Sequence, residues 1–310
     1  MVIGNMNKIL SNIHNLELET IKNLKNSKSL NTLRAYKSDF KHFSLFCSKN
    51  GFQSMPTIPK IISLYLTYLS KNSKYSTLKR RLASISILHK IKGHYIDIKH
   101  PAIMENLMGI KRIKGSNQKG KKPLLINDLK KLINVLDISN QNYIKKIRDK
   151  AILLIGFAGG FRRSELVNIE KEDIEFVAEG VKIFVKRSKN DQSGEGMVKA
   201  IPYFENNQFC PVIALKKWIN ISENVENKIF NISDKSVALI LKKYANKAGL
   251  DSNRYSGHSL RSGFATSTAE SGAEERSIMA MTGHKSSEMV RRYIKEANLF
   301  KNNALNKIKI

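Results

Sequence analysis

Residues 256–294 read SGHSLRSGFATSTAESGAEERSIMAMTGHKSSEMVRRYI and combine residue types that can act on a phosphodiester. A His-x-x-Arg pair, His258 and Arg261, is followed by a Gly-His dipeptide ending at His284 and by Tyr293 nine positions later. Arginine presents a fork of donors that matches two phosphate oxygens, and histidine can donate or accept a proton near neutral pH. A phenol is a poor nucleophile, but neighbouring cations favour its phenolate. The stretch therefore predicts a site that holds a phosphodiester while a tyrosine attacks it.

The composition indicates a folded chain with a polyanionic partner. Its 310 residues correspond to about two domains of ordinary size, and 41% hydrophobic residues argue against wholesale disorder. Lys and Arg number 54 and Asp and Glu 26, so the formal charge is +28. This excess favours nucleic acid as the partner, although the lysine- and asparagine-rich coding of an AT-rich genome would also produce it.

Several classes of protein are not expected. Cys47 and Cys210 are too few and too far apart for a disulfide framework or a zinc site, and we expect neither a metal nor a cofactor. The first residues lack a long apolar run, and no stretch approaches the length of a membrane span. These features fit a reducing cytoplasm and a protein that does not bind membranes. With a nucleic-acid partner, the expected localisation is the cytoplasm of a bacterium, in association with the nucleoid.

The N-terminal part has the periodicity of a helical bundle. Between residues 30 and 115, apolar residues recur every three or four positions, which predicts four or five short helices. The third helix is predicted to be capped by Ser76. Its outer face carries Lys79, Arg80 and Arg81, which either contact DNA phosphates or form an ordinary solvated face.

A polar segment follows this bundle. Residues 114–123, KGSNQKGKKP, are basic and contain two glycines, so they are predicted to be a linker between domains. A linker beside DNA would be basic in this way, which makes Lys121 and Lys122 candidate phosphate contacts. The alternative is that these lysines only keep the segment soluble.

The C-terminal part combines helices with a small sheet. Asn127 is predicted to cap one helix, and a second helix over 143–158 is stopped by two glycines. Arg162 follows these glycines, where the backbone can approach a ligand closely, and Glu165 lies one helical turn further on, where it can orient the arginine. Runs rich in Val and Ile predict three strands, at 173–177, 181–185 and 197–201.

The connection between the second and third strands carries a candidate general acid. It begins KRSKNDQ and contains Lys189, which could reach a DNA groove and protonate a leaving oxygen. Without context, a lysine at a hairpin tip is usually an ordinary surface residue. Lys186 is a second candidate but lies nearer the strand body.

In this order the motifs resemble the tyrosine recombinase (phage integrase) family. GFRRSEL, the hairpin lysine in RSKNDQ, HSLR, GH and a tyrosine nine residues on follow one another on the expected elements. The resemblance spans the whole C-terminal part. The N-terminal bundle is similar to the core-binding domain of the family, most clearly over STLKRRLASISILHKIKG.

The resemblance implies a role for each site residue and a transesterification without metal or ATP. Arg162 and Arg261 would clamp the scissile phosphate, Glu165 would be the supporting acidic residue, and His284 would add a hydrogen bond. Tyr293 would attack and become a 3′-phosphotyrosine, and Lys189 would protonate the leaving 5′-oxygen. His258 would position groups or take the tyrosine proton. Arg163 stands where the family commonly has an aliphatic residue, which leaves open which of the adjacent arginines faces the phosphate, with Arg162 favoured.

The resemblance also implies the architecture and the assembly. The fold is expected to be mainly α (α+β): a SAM-like helical core-binding domain and a catalytic DNA breaking–rejoining domain of helices with a three-stranded antiparallel sheet. The expected ranges are a short extension 1–24, the core-binding domain 25–113, the linker 114–123 and the catalytic domain 124–310. The partner is double-stranded DNA, bound by a homo-tetramer on two duplexes that is monomeric or weakly associated off DNA. The tail 298–310 resembles the segment that packs into a neighbouring protomer, and covering its own domain is the alternative.

The favoured biological role is integration or excision of a mobile element. The hairpin RSKNDQSGEG is unlike the short Gly-Lys-Gly turn of Xer-type enzymes, which resolve chromosome or plasmid dimers, but that role remains the first alternative. A non-catalytic DNA-binding regulator and a relaxase like type IB topoisomerases are the others.

Overall fold

The computed structural model describes residues 15–16, 18–19, 23, 28–115, 120–186, 196–222, 227–284, 286–297 and 304–308. The hairpin tip with Lys189, most of the extension 1–24, residues 116–119 of the predicted linker, and residues 298–303 and 309–310 of the tail lie outside this part. The chain divides into two compact units, Met1–Lys119 and Gly120–Ile310. No helix in the described ranges is long and apolar enough to cross a bilayer.

The first unit is a helical bundle. Its long helices within the described residues are α1 (Leu30–Lys49), α2 (Pro59–Ser70), α3 (Tyr75–Ile91) and α4 (Pro101–Lys114). Proline occupies the first turn of α2 and α4, where its missing N–H would have no helical partner in any case. The predicted cap at Ser76 is wrong: α3 begins at Tyr75, two residues earlier than that cap requires, after an extended Lys74 that makes no side-chain cap. The core is apolar and aromatic, and includes Phe43, Ile62, Tyr65, Leu66, Leu78 and Ile85.

The buried carboxylate of Asp39, on α1, contacts side chains of α3. Asp39 is 3% exposed and accepts hydrogen bonds from Arg80 and from Ser84 at 2.8 Å. Arg81 lies 3.7 Å from the same carboxylate and donates to the Tyr65 hydroxyl at 2.9 Å. The Arg81 side chain is only 18% exposed, against 49% for Arg80. Arg81 is therefore directed into the bundle rather than outward as its predicted face required, because Asp39 supplies a charge partner there.

The second unit is mostly helical with a small sheet, as the sequence predicted. Strands β1 (Ile174–Val177), β2 (Gly180–Val185) and β3 (Met197–Pro202) form an antiparallel sheet in the order β1-β2-β3. The helices are α5 (Ile126–Ile138), α6 (Tyr143–Ala158), α7 (Arg163–Val167), α8 (Pro211–Ile221), α9 (Asp234–Lys247), α10 (His258–Glu270), α11 (Glu275–Thr282) and α12 (Ser287–Ala297). Short 3-10 turns cover Lys171–Asp173, Asn207–Phe209, Ser252–Arg254 and Ala304–Lys307.

Helix α6 is the centre of this unit. Every residue from Ala151 to Ala158 is buried, so the helix is covered on all sides. Helix α5, before it, begins at Ile126 and not with a cap at Asn127. The reason is a tertiary bond: the Ile126 N–H donates to the Ser267 hydroxyl of α10 at 3.1 Å, so a distant side chain replaces the local cap.

Candidate active site

The carboxyl end of α6 forms an elbow that leads into the site. Gly159 is the C-cap, and Gly160 follows at φ 54°, in the left-handed region that favours glycine. A Cβ on Gly160 would also lie 3.0 Å from the Phe264 ring and 3.2 Å from Thr282. The chain then emerges extended at Arg162, the N-cap of α7.

The first turn of α7 holds Arg162 in place. The buried Glu165 accepts the Arg162 backbone N–H at 2.9 Å with one carboxylate oxygen and the Arg162 guanidinium at 2.5 Å with the other. The Arg163 side chain points in a different direction. It passes over Gly257, and its guanidinium lies 3.8 Å from the Asp234 carboxylate. Of the two adjacent arginines, Arg162 is thus the one anchored beside Glu165.

Arg261 is the most deeply buried arginine of the site. It is 1% exposed, donates to the Gly160 carbonyl at 2.9 Å and lies 4.0 Å from the Glu165 carboxylate. Its Nε and Nη2 are buried and have no hydrogen-bond partner in the described part of the chain. Burial, followed by the charge of Arg162, lowers the pKa of Arg261 to about 10. Buried donors without acceptors are costly, so this guanidinium is arranged to receive an acceptor that is not part of these residues.

The two histidines flank the arginines and are neutral near pH 7. His258 opens α10 and is exposed as a residue, yet partial desolvation of its ring and the charges of the nearby arginines lower its pKa. Burial, and then Arg261 and Arg162, lower the pKa of His284 to about 4. Among the described residues, no three His, Cys, Asp or Glu side chains cluster as metal ligands would.

A buried threonine fixes the tautomer of His284. The Thr282 hydroxyl donates its single proton to the Ile278 carbonyl at 2.6 Å, so it must accept at its other contact, His284 Nδ1 at 2.8 Å. Neutral His284 therefore carries its proton on Nδ1 and presents an unprotonated Nε2. The hydrogen bond to phosphate implied for His284 requires the charged imidazolium, which a bound anion favours.

Tyr293 lies near His284 and Arg261 of its own chain. It is 9% exposed on α12, and its ring centroid is 6.3 Å from that of His284. Tyr293 raises the pKa of Arg261, which places the phenol within electrostatic reach of the guanidinium. It packs with a small apolar cluster from α10, α11 and α12, made of Ala265, Ala269, Ile278 and Val290.

Tyr255, three residues before His258, is engaged elsewhere. Tyr255 is 2% exposed and donates to Asp128 at 2.9 Å. Burial raises the pKa of its phenol, which opposes formation of a phenolate.

The sequence offered two lysines of the hairpin as candidate proton donors. Lys189 lies outside the described residues. Lys186 pairs with Glu170 and Glu172 and lies 3.4 Å from Asp173, which together raise its pKa. A lysine that holds its proton more tightly is a weaker acid, so this contact set argues against Lys186 as the proton donor.

Lys121 and Lys122 are engaged with their own unit. Lys121 donates to the Asn253 carbonyl at 2.6 Å, and Lys122 to Asp128 at 3.1 Å. Lys122 keeps 36% of its side chain exposed, so a DNA contact by these lysines stays a prediction.

The structure adds a residue that sequence reasoning missed. Lys199 of β3 is fully buried, and this burial, together with the nearby charges of Arg261 and Arg162, lowers its pKa to about 7. Strand alternation holds a signal for it, because Lys199 and Ile201 share one face of β3 and Ile201 is a core residue.

Comparison with known proteins identifies the family. The family described as Phage integrase family matches residues 123–299. The chain belongs to the phage integrase family, the tyrosine recombinases. It is a site-specific recombinase of the Xer-like kind, an enzyme that transfers DNA strands.

Two relatives illustrate the similarity. The chain is 41% identical to the "Integrase/recombinase xerD homolog" of Selenomonas ruminantium, over 97% of this chain and 92% of that protein. It is 29% identical to "Tyrosine recombinase XerA" of Pyrococcus horikoshii, over 61% of this chain and 62% of the relative.

Solved structures share the fold. XerH recombinase bound to palindromic difH substrate, in a post-cleavage complex, has a TM-score of 0.66 at 18% identity, covering 92% of this chain and 84% of that one. A lambda integrase dimer bound to a COC′ core site has a TM-score of 0.58 at 17% identity, covering 96% and 80%.

Proposed function

We propose that this recombinase cleaves and rejoins DNA through a 3′-phosphotyrosine formed on Tyr293. The observation that carries the proposal is the Arg261 guanidinium, whose Nε and Nη2 are buried without acceptors in the described residues. It lies beside Arg162 and within electrostatic reach of Tyr293. A non-bridging phosphate oxygen is the acceptor that a buried, forked donor matches best.

The proposed reaction is a pair of transesterifications. The Tyr293 oxygen attacks phosphorus, a bond to phosphorus forms, and the bond to the 5′-oxygen breaks. Arg162 and Arg261 stabilise the charge that develops on the phosphate oxygens. A 5′-hydroxyl from another strand then attacks the phosphotyrosine and releases Tyr293. The covalent link retains the bond energy, so neither step requires ATP.

Proton transfers have separate donors and acceptors in this scheme. The expelled 5′-oxygen takes a proton from Lys189, the assignment favoured over Lys186 because carboxylates hold the latter. His258 positions groups or accepts the phenolic proton, and the lowered pKa keeps it able to accept near pH 7. His284 adds a hydrogen bond to the bound phosphate.

Double-stranded DNA is the proposed substrate, and a tetramer on two duplexes the proposed working form. The charge of +28 supports a polyanionic partner. Among the proteins with the same fold, one solved structure is a lambda integrase tetramer bound to a Holliday junction. The first unit would then serve as the core-binding domain and the second as the catalytic domain.

For the biological role we propose integration or excision of a mobile element. Dimer resolution is the alternative, and the Xer names of several relatives favour it. The recombination site separates the two roles. Copies at both ends of an element that contains the gene support the first, and a single chromosomal site far from the gene supports the second.

Covalent trapping tests the chemistry and selects the target sequence in the same experiment. A library of nicked duplexes with randomised sequence around the nick is incubated with the protein, and adducts that survive detergent are sequenced. The wild type is expected to retain a defined sequence, and Tyr293→Phe to retain none while still binding that DNA. An adduct that persists in Tyr293→Phe would assign the nucleophile elsewhere, and a wild type without adducts would refute the proposed function.

A further inference from the structure

Lys199 is a buried cation that the proposed chemistry does not use. It is 0% exposed, and its amine donates to the Gly159 carbonyl at 2.7 Å and to the Met281 carbonyl. The amine also lies 4.8 Å from the centroid of the Phe161 ring. Lysine is almost never fully buried without partners, and here backbone carbonyls and an aromatic face supply them.

The two carbonyls belong to the segments that present two site residues. Gly159 ends α6 three positions before Arg162. Met281 lies in the last turn of α11, three positions before His284. A single amine thus joins the backbone on the Arg162 side of the site to the backbone on the His284 side.

This position is electrostatically unfavourable for a lysine. Burial is the main reason that the pKa of Lys199 falls to about 7, Arg261 and Arg162 act in the same direction, and Glu165 opposes them. A methionine of similar length would fill the volume without a buried charge. A costly group with this contact set points to a role in the reaction, since filling the core would not require it.

We propose that Lys199 is a positioning residue for DNA strand cleavage, which holds the Arg162 and His284 segments at the separation that a phosphodiester requires. The inference rests on the proposed function. Lys199 acts through the Gly159 and Met281 carbonyls, which accept from its amine, and takes no part in the bond changes proposed at phosphorus. An anion bound at the arginines also favours the charged form of Lys199.

Two substitutions test the hydrogen-bond donors and the charge of Lys199 together. Lys199→Met removes both, so cleavage of bound DNA should slow roughly 10- to 100-fold as the site loosens, with affinity for DNA close to wild type. Lys199→Arg keeps donors and charge and should recover much of the rate. Lys182→Met is the matched control, because Lys182 pairs with Ala200 across the same sheet and is 47% exposed beside Glu175.

The pH profile gives a readout that a purely structural role would not change. The wild-type cleavage rate should fall as pH rises through the pKa of Lys199 in the complex, and Lys199→Arg should lack this fall because arginine stays charged. The groups that face Lys199 are Glu165, Arg162, Arg261 and His284. Arg261 has a pKa of about 10, away from this window, whereas a bound phosphate favours the charged form of His284 and raises its pKa toward the window. Titration of His284 is common to wild type and Lys199→Arg, so the part of the fall that Lys199→Arg abolishes belongs to Lys199.

The experiment measures the rate of covalent adduct formation under single-turnover conditions, on the duplex selected by covalent trapping. DNA affinity and thermal unfolding are measured for each variant. The inference is overturned if Lys199→Met cleaves DNA at the wild-type rate. It is also overturned if Lys199→Met loses DNA binding, cleavage and thermal stability together. If Lys199→Met does not fold, a Lys199→Arg profile identical to wild type overturns it. A wild type that forms no Tyr293-dependent adduct refutes the proposed function and this inference with it.

Discussion

Lys186 and Lys189 lie three positions apart, and leaving-group chemistry can tell them apart. Lys189→Ala should slow cleavage of ordinary DNA by about 10²–10⁴-fold, because expelling an alkoxide needs a proton. A bridging 5′-phosphorothiolate leaves as a thiolate without one, so adduct formation on that substrate should be nearly restored. Arg162→Ala should stay impaired on both substrates, because phosphate stabilisation is still missing. Sulfur rescue of Lys186→Ala in place of Lys189→Ala would contradict the assignment.

The hydroxyl of Thr282 fixes the position of the ring proton of neutral His284 on Nδ1. Thr282→Val removes the acceptor of the His284 Nδ1 proton, so neutral His284 should populate both tautomers. Nitrogen chemical shifts of His284 in NMR spectra report this directly, and the cleavage rate should fall with the loss of ring orientation.

Thr266→Val is the matched control for this prediction. Thr266 is 3% exposed, and its hydroxyl has no hydrogen-bond partner in the described part of the chain. Replacing it should be neutral or stabilising. A His284 spectrum unchanged by Thr282→Val would show that another group fixes the tautomer.

The candidate reactive residues are visible in the sequence, whereas the buried charges around them are not. Motif order pointed to Arg162, Arg261 and Tyr293 because their chemistry is visible in their residue types. Lys199 and Arg81 were missed or misplaced, because a charged side chain is buried only where the tertiary fold supplies partners. For these two residues the partners are the Gly159 and Met281 carbonyls and the Asp39 carboxylate.

Within helix α3, substitutions of Lys79 and Arg81, two positions apart, are expected to have different effects. Lys79→Ala should lower DNA affinity and reduce the salt slope by about 0.9 if the exposed Lys79 contacts one phosphate. Arg81→Ala should instead lower the free energy of unfolding by roughly 1–3 kcal/mol, because Asp39 and Tyr65 lose a charged hydrogen-bonding partner. Binding at several salt concentrations and chemical denaturation measure the two effects. Equal stability losses in both variants would contradict the different environments.

Helix and strand types followed from periodicity, while helix ends did not. The sheet was predictable because its strands are runs rich in Val and Ile. The observed register pairs Val177 with Gly180, so Ala178 and Glu179 form the loop between β1 and β2. The start of α5 was not, because its first N–H is satisfied by Ser267, a residue distant in sequence. Local cap signals cannot anticipate such tertiary bonds.

For the whole molecule, electrostatics should dominate the affinity for DNA. With a formal charge of +28, the logarithm of the association constant should fall linearly with the logarithm of salt concentration, by about 0.9 for each phosphate contacted. Fluorescence anisotropy with a labelled duplex measures the slope. A flat response would mean that the lysine excess reflects genome composition and not binding.

The carboxyl end of α6 has a consequence for acid conditions. Its carbonyls at Gly159 and Gly160 accept from Lys199 and Arg261, and the end of a helix carries about half a negative charge. Backbone oxygens therefore act as a counter-charge for two cations without adding a carboxylate that would repel DNA. Unlike a carboxylate, a carbonyl takes up no proton as pH falls, so its hold on Arg261 should persist in acid.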